Sequence, residues 1–510
     1  MQMLTRAATA LFAVATLVAC HSGDAVAPGT STLTIRNELV SVNPSGYAPL
    51  TANIHVETEA STTITMRVAG KHGAASDVVK SFTDAGTVHN VPVLGLYADY
   101  ANAVEMVFKG ASGIEVGRKT YTLRTAALPT NTFPLITVDV RHDSLMADGM
   151  TLVSYFGYGT VSTPVHPFIF DRFGDVRWYL EYAGHPVLKS LFYDNGIERL
   201  KNGNWYFGDN STNAVYEVDG LGNVVNTFPL PGYKFHHQVL EKPNGNFLVS
   251  VSTVGGSTTE DVIVEIDRTT KQIVTTWDLK TSLQSGRRTL SANVEDWAHV
   301  NGLAYDASDN TIIVSARTQG LVKLTQANQV VWIMGAHRGW DTAGDGTDLR
   351  TVLLQPLDKS NAPITDADVL DGAANHADFE WNWYQHAPKV LPNGHILLFD
   401  NGDNRNFGGS PNYSRAVEYV IDKQARTVKQ VWTYGKDRGT TTFSRIVSDV
   451  DLLDGGAHVV WSPGAIGNAT GKVIELDYTT QQVLFEAALI PPTALFGITM
   501  HRTERLSLYP

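Results

Sequence analysis

Three histidines recur at corresponding places in repeated segments of the chain. His237 begins H-Q-V-L-E-K-P-N-G and His386 begins H-A-P-K-V-L-P-N-G, so each lies eight residues before the glycine of a P-N-G turn. His299 opens a third segment, H-V-N-G-L-A-Y-D-A-S-D-N, which has a slightly longer turn. Corresponding positions in a cyclic repeat fold lie around one axis. The spacing therefore predicts that three imidazoles, groups suited to nucleophilic and acid–base chemistry, converge on one pocket.

Other repeats carry different residues at this position. The residue eight before the turn glycine is Asn195 in the unit with Gly203 and Ser448 in the unit with Gly456. In a β-propeller the first strand of each blade lines the central channel, and these residues begin that strand. We therefore expect them to lie with the histidines around one mouth of the channel.

Hairpin geometry predicts neighbours for two of the histidines. The end of a second strand lies beside the start of the first, so Arg317 is expected near His299 and Asp400 and Asn401 near His386. Asn301 follows His299 by two residues and is expected on the same strand face. An arginine, an amide and several imidazoles suit an anionic group that carries several oxygens.

A metal is a weaker interpretation of the same residues. The chain has no HExxH motif, cysteine cluster or acid-rich loop, so the histidines need not be metal ligands. Three imidazoles on one axis could nevertheless bind Zn²⁺. The sequence therefore favours a site without a metal or a cofactor.

The elements that would position these residues form an all-β fold. Valine, threonine, tyrosine and isoleucine are frequent, and few stretches have helical periodicity. From residue 134 to residue 510, apolar strands and N-G or D-G turns repeat in six units of roughly 40–60 residues, which predicts a six-bladed β-propeller. Its final strand, near residues 497–506, is expected to join the first blade, and an insertion near residues 337–380 is expected to cover one face.

A small β-sandwich is predicted before the propeller, at residues 31–133, because short runs of alternating polarity are separated by turns. Residues 1–19 resemble a secretory signal, and residues 20–30 form a polar tether. The signal ends in L-V-A-C, the pattern of a bacterial lipoprotein whose Cys20 is lipidated. We therefore expect export to the periplasm or cell surface, with a lipid anchor in the outer membrane as the only membrane contact.

The overall charge argues against one class of partner. The formal net charge is −12, so a nucleic-acid partner is not expected. Cys20 is the only cysteine in the sequence, so the exported protein would have no internal disulfide.

The chain resembles the bacterial aryl-sulfate sulfotransferase family, whose members do not use a nucleotide sulfate donor. The resemblance covers nearly the whole mature chain. The segments that carry it are D-W-A-H-V-N at 296–301, S-A-R at 315–317, V-W-I-M-G-A-H-R-G-W at 331–340, Q-H at 385–386, F-D-N-G-D-N-R at 399–405, Y-S-R-A-V at 413–417 and, in the N-terminal domain, P-V-L-G-L-Y-A-D-Y-A-N at 92–102.

The resemblance implies a mechanism and assigns residues to it. A sulfuryl group would pass from a phenolic sulfate ester to a phenol acceptor in a ping-pong reaction, through a transiently sulfated His386. The supporting residues fall on His299, Asn301 and Arg317, together with one histidine of the pair at 236–237. The repeat register selects His237, and the adjacent His236 would face the other way.

Other functions remain open from the sequence. A hydrolase would differ from the transferase only in using water as the acceptor. A metal-dependent propeller hydrolase such as a lactonase, and a non-catalytic surface binding module, are the alternatives from other classes. A formylglycine sulfatase is excluded because its C-x-P-x-R motif has no available cysteine. A homodimer is plausible by family analogy only.

Overall fold

The computed structural model describes residues 33–159, 166–191, 196–493 and 495–510. The predicted signal and tether with Cys20, and also Asn195, lie outside these residues. Regular structure in the described part is almost entirely β. Among those residues, no helix combines the length and apolar character needed to cross a membrane.

The N-terminal strands form one sheet in which the two longest strands lie side by side. β2 pairs with β1 along its first half and with β4 along its second half, while β3 follows it on the other edge. Alternate residues of β2, such as Ile54, Val56 and Met66, are fully buried, as the alternating sequence predicts. The strands are β1 (Ile35–Val42), β2 (Thr51–Val68), β3 (Val78–Leu94), β4 (Ala101–Lys109) and β5 (Glu115–Arg124).

Twenty-six further strands follow in the described residues. The first of them are β6 (Leu135–Arg141), β7 (Met150–Gly159), β8 (Phe168–Phe170), β9 (Val176–Tyr179), β10 (Glu198–Arg199), β11 (Trp205–Asp209), β12 (Ala214–Val218), β13 (Val224–Pro229), β14 (Tyr233–Glu241), β15 (Phe247–Thr253), β16 (Val262–Ile266) and β17 (Ile273–Asp278). The others are β18 (Val300–Asp306), β19 (Thr311–Ala316), β20 (Gly320–Leu324), β21 (Val330–Met334), β22 (Gln355–Leu357), β23 (His386–Val390), β24 (Ile396–Asp400), β25 (Arg415–Asp422), β26 (Thr427–Tyr434), β27 (Asp449–Leu453), β28 (His458–Ser462), β29 (Gly471–Asp477), β30 (Val483–Ile490) and β31 (Leu495–Leu506).

Helices are short and lie in connections. The α-helices are α1 (Leu279–Ser282) and α2 (Ala367–Asp371). The 3-10 segments are Ala74–Ser76, Leu188–Ser190, Leu349–Val352, Arg405–Gly408, Lys436–Thr442 and Asp454–Gly456.

The strands after β5 form six sheets of four or five strands in the described residues. Four sheets follow the chain in simple order: β10 to β13, β14 to β17, β18 to β21, and β23 to β26 with β22 added in parallel at the outer edge. The remaining two use strands from both ends of this region. The prediction of an all-β chain, with a propeller behind a small β domain, is confirmed.

The last strand joins the first sheet, as expected from the sequence. β31 pairs antiparallel with β7, so that Met500 lies opposite Tyr155, and the sheet continues through β8 and β9. β6 in turn adds to β30 at the edge of the sheet formed by β27 to β30. Two pairings between distant parts of the chain therefore connect the beginning and end of the propeller.

The P-N-G turns have the backbone that their glycines permit. Gly245 and Gly394 have φ angles of 87° and 82°, a region that strongly favours glycine. Each turn reverses the chain directly after an inner strand. The regular spacing between turn and histidine therefore corresponds to one strand length.

Tryptophans at the outer strands connect adjacent sheets. The indole N–H of Trp277 in β17 donates to the carbonyl oxygen of Thr325, in the turn between β20 and β21, at 2.8 Å. Trp178 in β9 donates in the same way to Gly220, and Trp432 in β26 to Tyr478, each at 2.8 Å. These three tryptophans thus have the same structural role between neighbouring sheets.

The segment between β21 and β23 covers the residues near 337–380 that the sequence predicts to be an insertion. It includes the 3-10 segment Leu349–Val352, β22 and α2. Trp381 packs against Phe379 in T-shaped geometry, and its indole N–H donates to the carbonyl oxygen of Val369 in α2. The insertion is therefore anchored to the sheet that begins with His386.

Trp277 provides a test of this packing. We expect Trp277→Ala to lower the free energy of unfolding by about 3–5 kcal/mol, because the side chain is fully buried and its hydrogen bond to the next sheet is lost. Val274 lies in the same strand but is 55% exposed, so Val274→Ala is the matched control and should cost less than about 1 kcal/mol. Urea unfolding followed by circular dichroism measures both. Equal effects would contradict the proposed contact between sheets.

Candidate active site

The inner strands of several sheets bring the predicted histidines together. His237 lies in β14, His299 directly precedes β18, and His386 is the first residue of β23. The ring centroids of His237 and His299 are 4.9 Å apart. β18 packs against both β14 and β23, and Asn301 in β18 donates to the carbonyl oxygen of Gln385, the residue before His386. The structure therefore places all three imidazoles in one region.

The inner strands depart from regular pairing at these histidines. The pairing of β14 with β15 breaks between Phe235 and Val239, and that of β23 with β24 breaks between His386 and Lys389. His237 has a left-handed backbone, with a φ angle of 52°. Bulges of this kind redirect side chains and are common beside active sites. The backbone at these histidines therefore departs from the regular extended conformation of the rest of each strand.

The bulge in β14 also changes the position of His236. The sequence predicts that this residue faces away from His237, because side chains alternate along a regular strand. Both are buried, their ring centroids are 5.5 Å apart, and nitrogens of both rings lie within 4.8 Å of a carboxylate oxygen of Glu260. The expectation that His236 faces the other way is therefore wrong. Burial lowers the pKa of His236 to about 4, so its ring is neutral.

His386 is held in one tautomer. Its Nδ1 lies 2.7 Å from Oδ1 of Asn401 and 3.1 Å from the carbonyl oxygen of Tyr384. The amide group of Asn401 cannot rotate to offer a donor, because its Nδ2 donates to the carbonyl oxygens of Ser444 and Val447. Nδ1 therefore carries the proton and donates it. Nε2 has the lone pair and accepts a long hydrogen bond of 3.2 Å from the backbone N–H of Val447.

The surroundings of His386 also keep its ring neutral. The side chain is almost completely buried, and burial lowers the pKa of His386 well below its ordinary value. The positive charges of Arg317 and Arg502 lower the pKa further, while the hydrogen bond to Asn401 opposes them only in part. A neutral buried imidazole with its Nδ1 proton fixed is a nucleophile at Nε2.

The fully buried Asp400 fixes the segments on both sides of His386. Its Oδ1 accepts the backbone N–H groups of Trp383, at 2.8 Å, and of Gly402, at 3.1 Å. Its Oδ2 accepts Arg405 Nη2 at 3.0 Å and Arg415 Nε at 2.8 Å. The proximity of Asp400 and Asn401 to His386, predicted from hairpin geometry, is therefore present. Asn401 contacts the imidazole, and Asp400 positions its surroundings.

Asn301 holds the residue before His386. The side chain is fully buried, and its Nδ2 donates to the carbonyl oxygen of Gln385 at 2.9 Å. The pairing of β18 with β19 breaks next to Asn301, so the same-face rule of a regular strand does not apply there. The structure therefore connects Asn301 to His386 through the backbone, in place of the expected position beside His299.

The guanidinium of Arg317 has an N–H donor that is not used within the described residues. Its backbone N–H donates to the carbonyl oxygen of His299 at 3.0 Å, which is the predicted proximity. Its guanidinium carbon lies 4.7 Å from the ring centre of Tyr384. Its Nε is buried without a hydrogen-bond partner among the described residues. Such an arginine is suited to bind the oxygens of an anionic group.

Two carboxylates complete the cluster, and neither was selected from the sequence. Oε2 of Glu260 lies 3.2 Å from His237 Nε2 and 3.0 Å from His299 Nδ1. Oδ2 of Asp296 lies 2.7 Å from the same His299 nitrogen. Burial alone would raise the pKa of Glu260, but the imidazoles of His237 and His299 lower it well below its usual range. Glu260 is therefore ionised and fixes both rings.

His501 and Arg502 in β31 complete the centre. The ring of His501 stacks on His237 at a centroid distance of 5.6 Å. Arg502 donates to the carbonyl oxygen of Asn301 at 3.0 Å and to that of Ser448 at 3.3 Å. One guanidinium thus connects three inner regions. Ser448 lies at the predicted strand start, where its backbone contributes to this connection.

Comparisons with known proteins show the family of the chain. The family model described as arylsulfotransferase matches residues 136–493, and the model described as the arylsulfotransferase Ig-like domain matches residues 39–126. The chain belongs to the arylsulfotransferase family. The prediction of a nucleotide-independent sulfotransferase is therefore confirmed at the level of the family.

Two curated relatives have similar length. The chain is 28% identical to the arylsulfate sulfotransferase AssT of Escherichia coli O6:H1, over 88% of this chain and 89% of that protein. It is 27% identical to the AssT of Lelliottia amnigena, over 87% and 89%. A solved structure of a protein of unknown function from Bacteroides caccae aligns with 70% of this chain and all of its own, at 11% identity and a TM-score of 0.40.

The neutrality of His386 can be measured directly. We expect the ¹⁵N signals of the His386 ring to stay unchanged from pH 8 to pH 5.5, because burial and Arg317 lower its pKa well below about 6.5. His55 in the N-terminal sheet, whose pKa is raised by its hydrogen bonds to Asn90 and Glu57, should become protonated in this range and is the internal control.

The lowered pKa of His386 also determines how its contribution to stability depends on pH. A group with a lowered folded-state pKa binds more protons in the unfolded chain, so the contribution of His386 to stability falls as the pH drops below about 6.5. In the Arg317→Met variant the pKa of His386 should rise towards that value. Protonation of His386 near pH 6.5 in the wild type would contradict this account.

Proposed function

We propose that this protein moves a sulfuryl group from a phenolic sulfate ester to a phenol acceptor, and that His386 carries the group between the two half-reactions. The observation that supports this most is the state of His386. Its ring is neutral, Nδ1–H is fixed by Asn401, and the Nε2 lone pair lies in a region that also contains Arg317. Membership of the arylsulfotransferase family supports the same chemistry.

In the first half-reaction Nε2 of His386 attacks the sulfur of the donor. An N–S bond forms while the bond between sulfur and the phenolic oxygen breaks. Arg317 would bind the sulfuryl oxygens, whose charge it stabilises in the transition state. The long hydrogen bond from Val447 to Nε2 has to be given up as the N–S bond forms.

The departing phenolate takes a proton from the imidazole of His299. Glu260 and Asp296 both face Nδ1 of this ring, so Nε2 is the nitrogen left to exchange a proton with the phenol oxygen. In the second half-reaction an acceptor phenol returns a proton to His299. Its oxygen attacks sulfur, and His386 is released in its original tautomer.

His237 and Asn301 support these steps. His237 shares Glu260 with His299 and would orient the acid–base pair. Asn301 would keep the backbone before His386 in position, because its amide already donates to Gln385. A phenolate is a better leaving group than an alkoxide, which is consistent with aryl donors. Export and lipidation at Cys20 remain predictions from the sequence.

The decisive experiment uses 4-nitrophenyl sulfate with and without added phenol. For the wild type we expect release of 4-nitrophenolate that depends on phenol, and for His386→Ala a loss of about 1,000-fold or more. His395→Asn is the matched control, because His395 lies in the turn after β23 and pairs with Glu418 away from the site. It should retain wild-type activity.

Other outcomes point to other functions. Release that does not need phenol but requires His386 would indicate a hydrolase on the same residues. Release that a chelator abolishes would favour a metal-dependent enzyme. A folded protein with no release under any of these conditions would contradict the proposal and favour a binding module.

Arg317 gives an independent test of sulfuryl binding. Arg317→Met should lower kcat/KM by about 100- to 1,000-fold, because the charge that develops on the transferring group loses its partner. Arg317→Lys should recover part of this loss, since it restores the charge but not the planar set of donors. Steady-state kinetics with 4-nitrophenyl sulfate distinguishes them. Wild-type activity in Arg317→Met would exclude this role.

A further inference from the structure

The side chains of His236, His237 and Glu260 form a group with the composition of a transition-metal site. One nitrogen of each ring and one carboxylate oxygen lie within 4.8 Å of one another. Two imidazoles and a carboxylate are a ligand set that Zn²⁺ accepts in a tetrahedral arrangement with one open position. We propose that these three residues bind a divalent transition-metal ion of the Zn²⁺ type, and that this ion inhibits the enzyme.

The spacing of the ligand atoms supports coordination. His237 Nε2 and Glu260 Oε2 are 3.2 Å apart. Two ligands at about 2.0–2.1 Å from a tetrahedral Zn²⁺ are separated by roughly 3.3 Å. This pair of atoms therefore already has the separation that two ligands of one ion require.

The second imidazole provides an independent observation. His236 is only 5% exposed, and neither of its ring nitrogens has a hydrogen-bond partner of standard geometry among the described residues. Its one polar contact is a weak one with the backbone of Val251, so the buried ring has lost its hydrogen bonds to water without full replacement, which is costly. A metal ion at this position would satisfy one of the two nitrogens.

The three ligands come from a rigid part of the fold. The backbone N–H of Glu260 donates to the hydroxyl oxygen of Ser252 at 2.8 Å. The carbonyl oxygen of Glu260 accepts the backbone N–H of Val300, also at 2.8 Å. The irregular pairing of β14 holds both histidines toward the same carboxylate. The Glu260 side chain is 23% exposed, so an ion can reach the group from solvent.

Inhibition follows from what the ion would displace, and this step rests on the proposed function. Bound metal would use the Glu260 oxygen that now faces both His237 and His299. The tautomers of the two rings would no longer be fixed by this carboxylate, and a dication would lie beside the group that takes part in proton transfer. We therefore expect Zn²⁺ to slow sulfuryl transfer and EDTA to restore it.

Isothermal titration of the full-length chain with Zn²⁺ alone tests binding without any substrate. We expect one site per chain in the wild type, weakened about tenfold or more in both His236→Asn and Glu260→Gln. His55→Asn is the matched control, because His55 forms a half-buried pair with Glu57 in the N-terminal sheet and its replacement should not change the affinity. Cys20→Ser excludes the thiol as a ligand.

Several outcomes would overturn the inference. It fails if the wild type shows no saturable site, if Glu260→Gln binds as the wild type does, or if Asp296→Asn abolishes binding and His236→Asn does not. His386→Ala should bind Zn²⁺ normally, since His386 is not a ligand. Zn²⁺ binding in a chain that lacks sulfotransferase activity would therefore keep the metal site and reject the proposed function. Sulfuryl transfer in a chain without a saturable Zn²⁺ site would reject the metal site and keep the proposed function.

Discussion

The pairing of β31 with β7 is the constraint on which the centre of this protein depends. It completes the first sheet with a strand from the end of the chain. It also brings Arg502 to the carbonyl oxygens of Asn301 and Ser448, which belong to different inner regions. Without this strand the starts of the inner strands would lose their shared cation, and His237 would lose the ring of His501 that stacks on it.

The electrostatic balance of the site follows from that arrangement. Arg317 and Arg502 are buried near His386 and make an imidazolium there unfavourable. Glu260 and Asp296 lie next to His299. One imidazole thus has cations as neighbours and another has carboxylates, although both are histidines on inner strands. In the proposed mechanism, the nucleophile and the proton donor are thus distinguished by their surroundings, as paired catalytic groups often are.

Much of the fold and part of the site could be predicted from the sequence. The turn spacing identified the inner strands, and hairpin geometry correctly placed Arg317 beside His299 and Asn401 beside His386. Both predictions use regular antiparallel pairing. The alternation of side chains along a regular strand fails where bulges interrupt the pairing, which is why Asn301 reaches Gln385 and His236 lies toward Glu260.

Other contributors carried no repeat signal at all. His501 lies in β31, whose partner β7 comes from the start of the propeller sequence. The two strands are therefore not joined by a P-N-G turn. Glu260 lies in the connection before β16, outside the spacing that marks the histidines. The carboxylates and the last histidine could be assigned only after the strands had been placed in three dimensions.

The late position of β31 in the sequence also has a consequence for the biosynthesis of the enzyme. Translation produces residues 237, 299 and 386 well before residues 495–506. The inner strands that carry the histidines can form as they emerge, but the arginine that joins them arrives with the final segment. A chain cut before β31 therefore lacks the guanidinium that joins Asn301 and Ser448. Assembly of the centre has to wait until residues 495–506 have been synthesised.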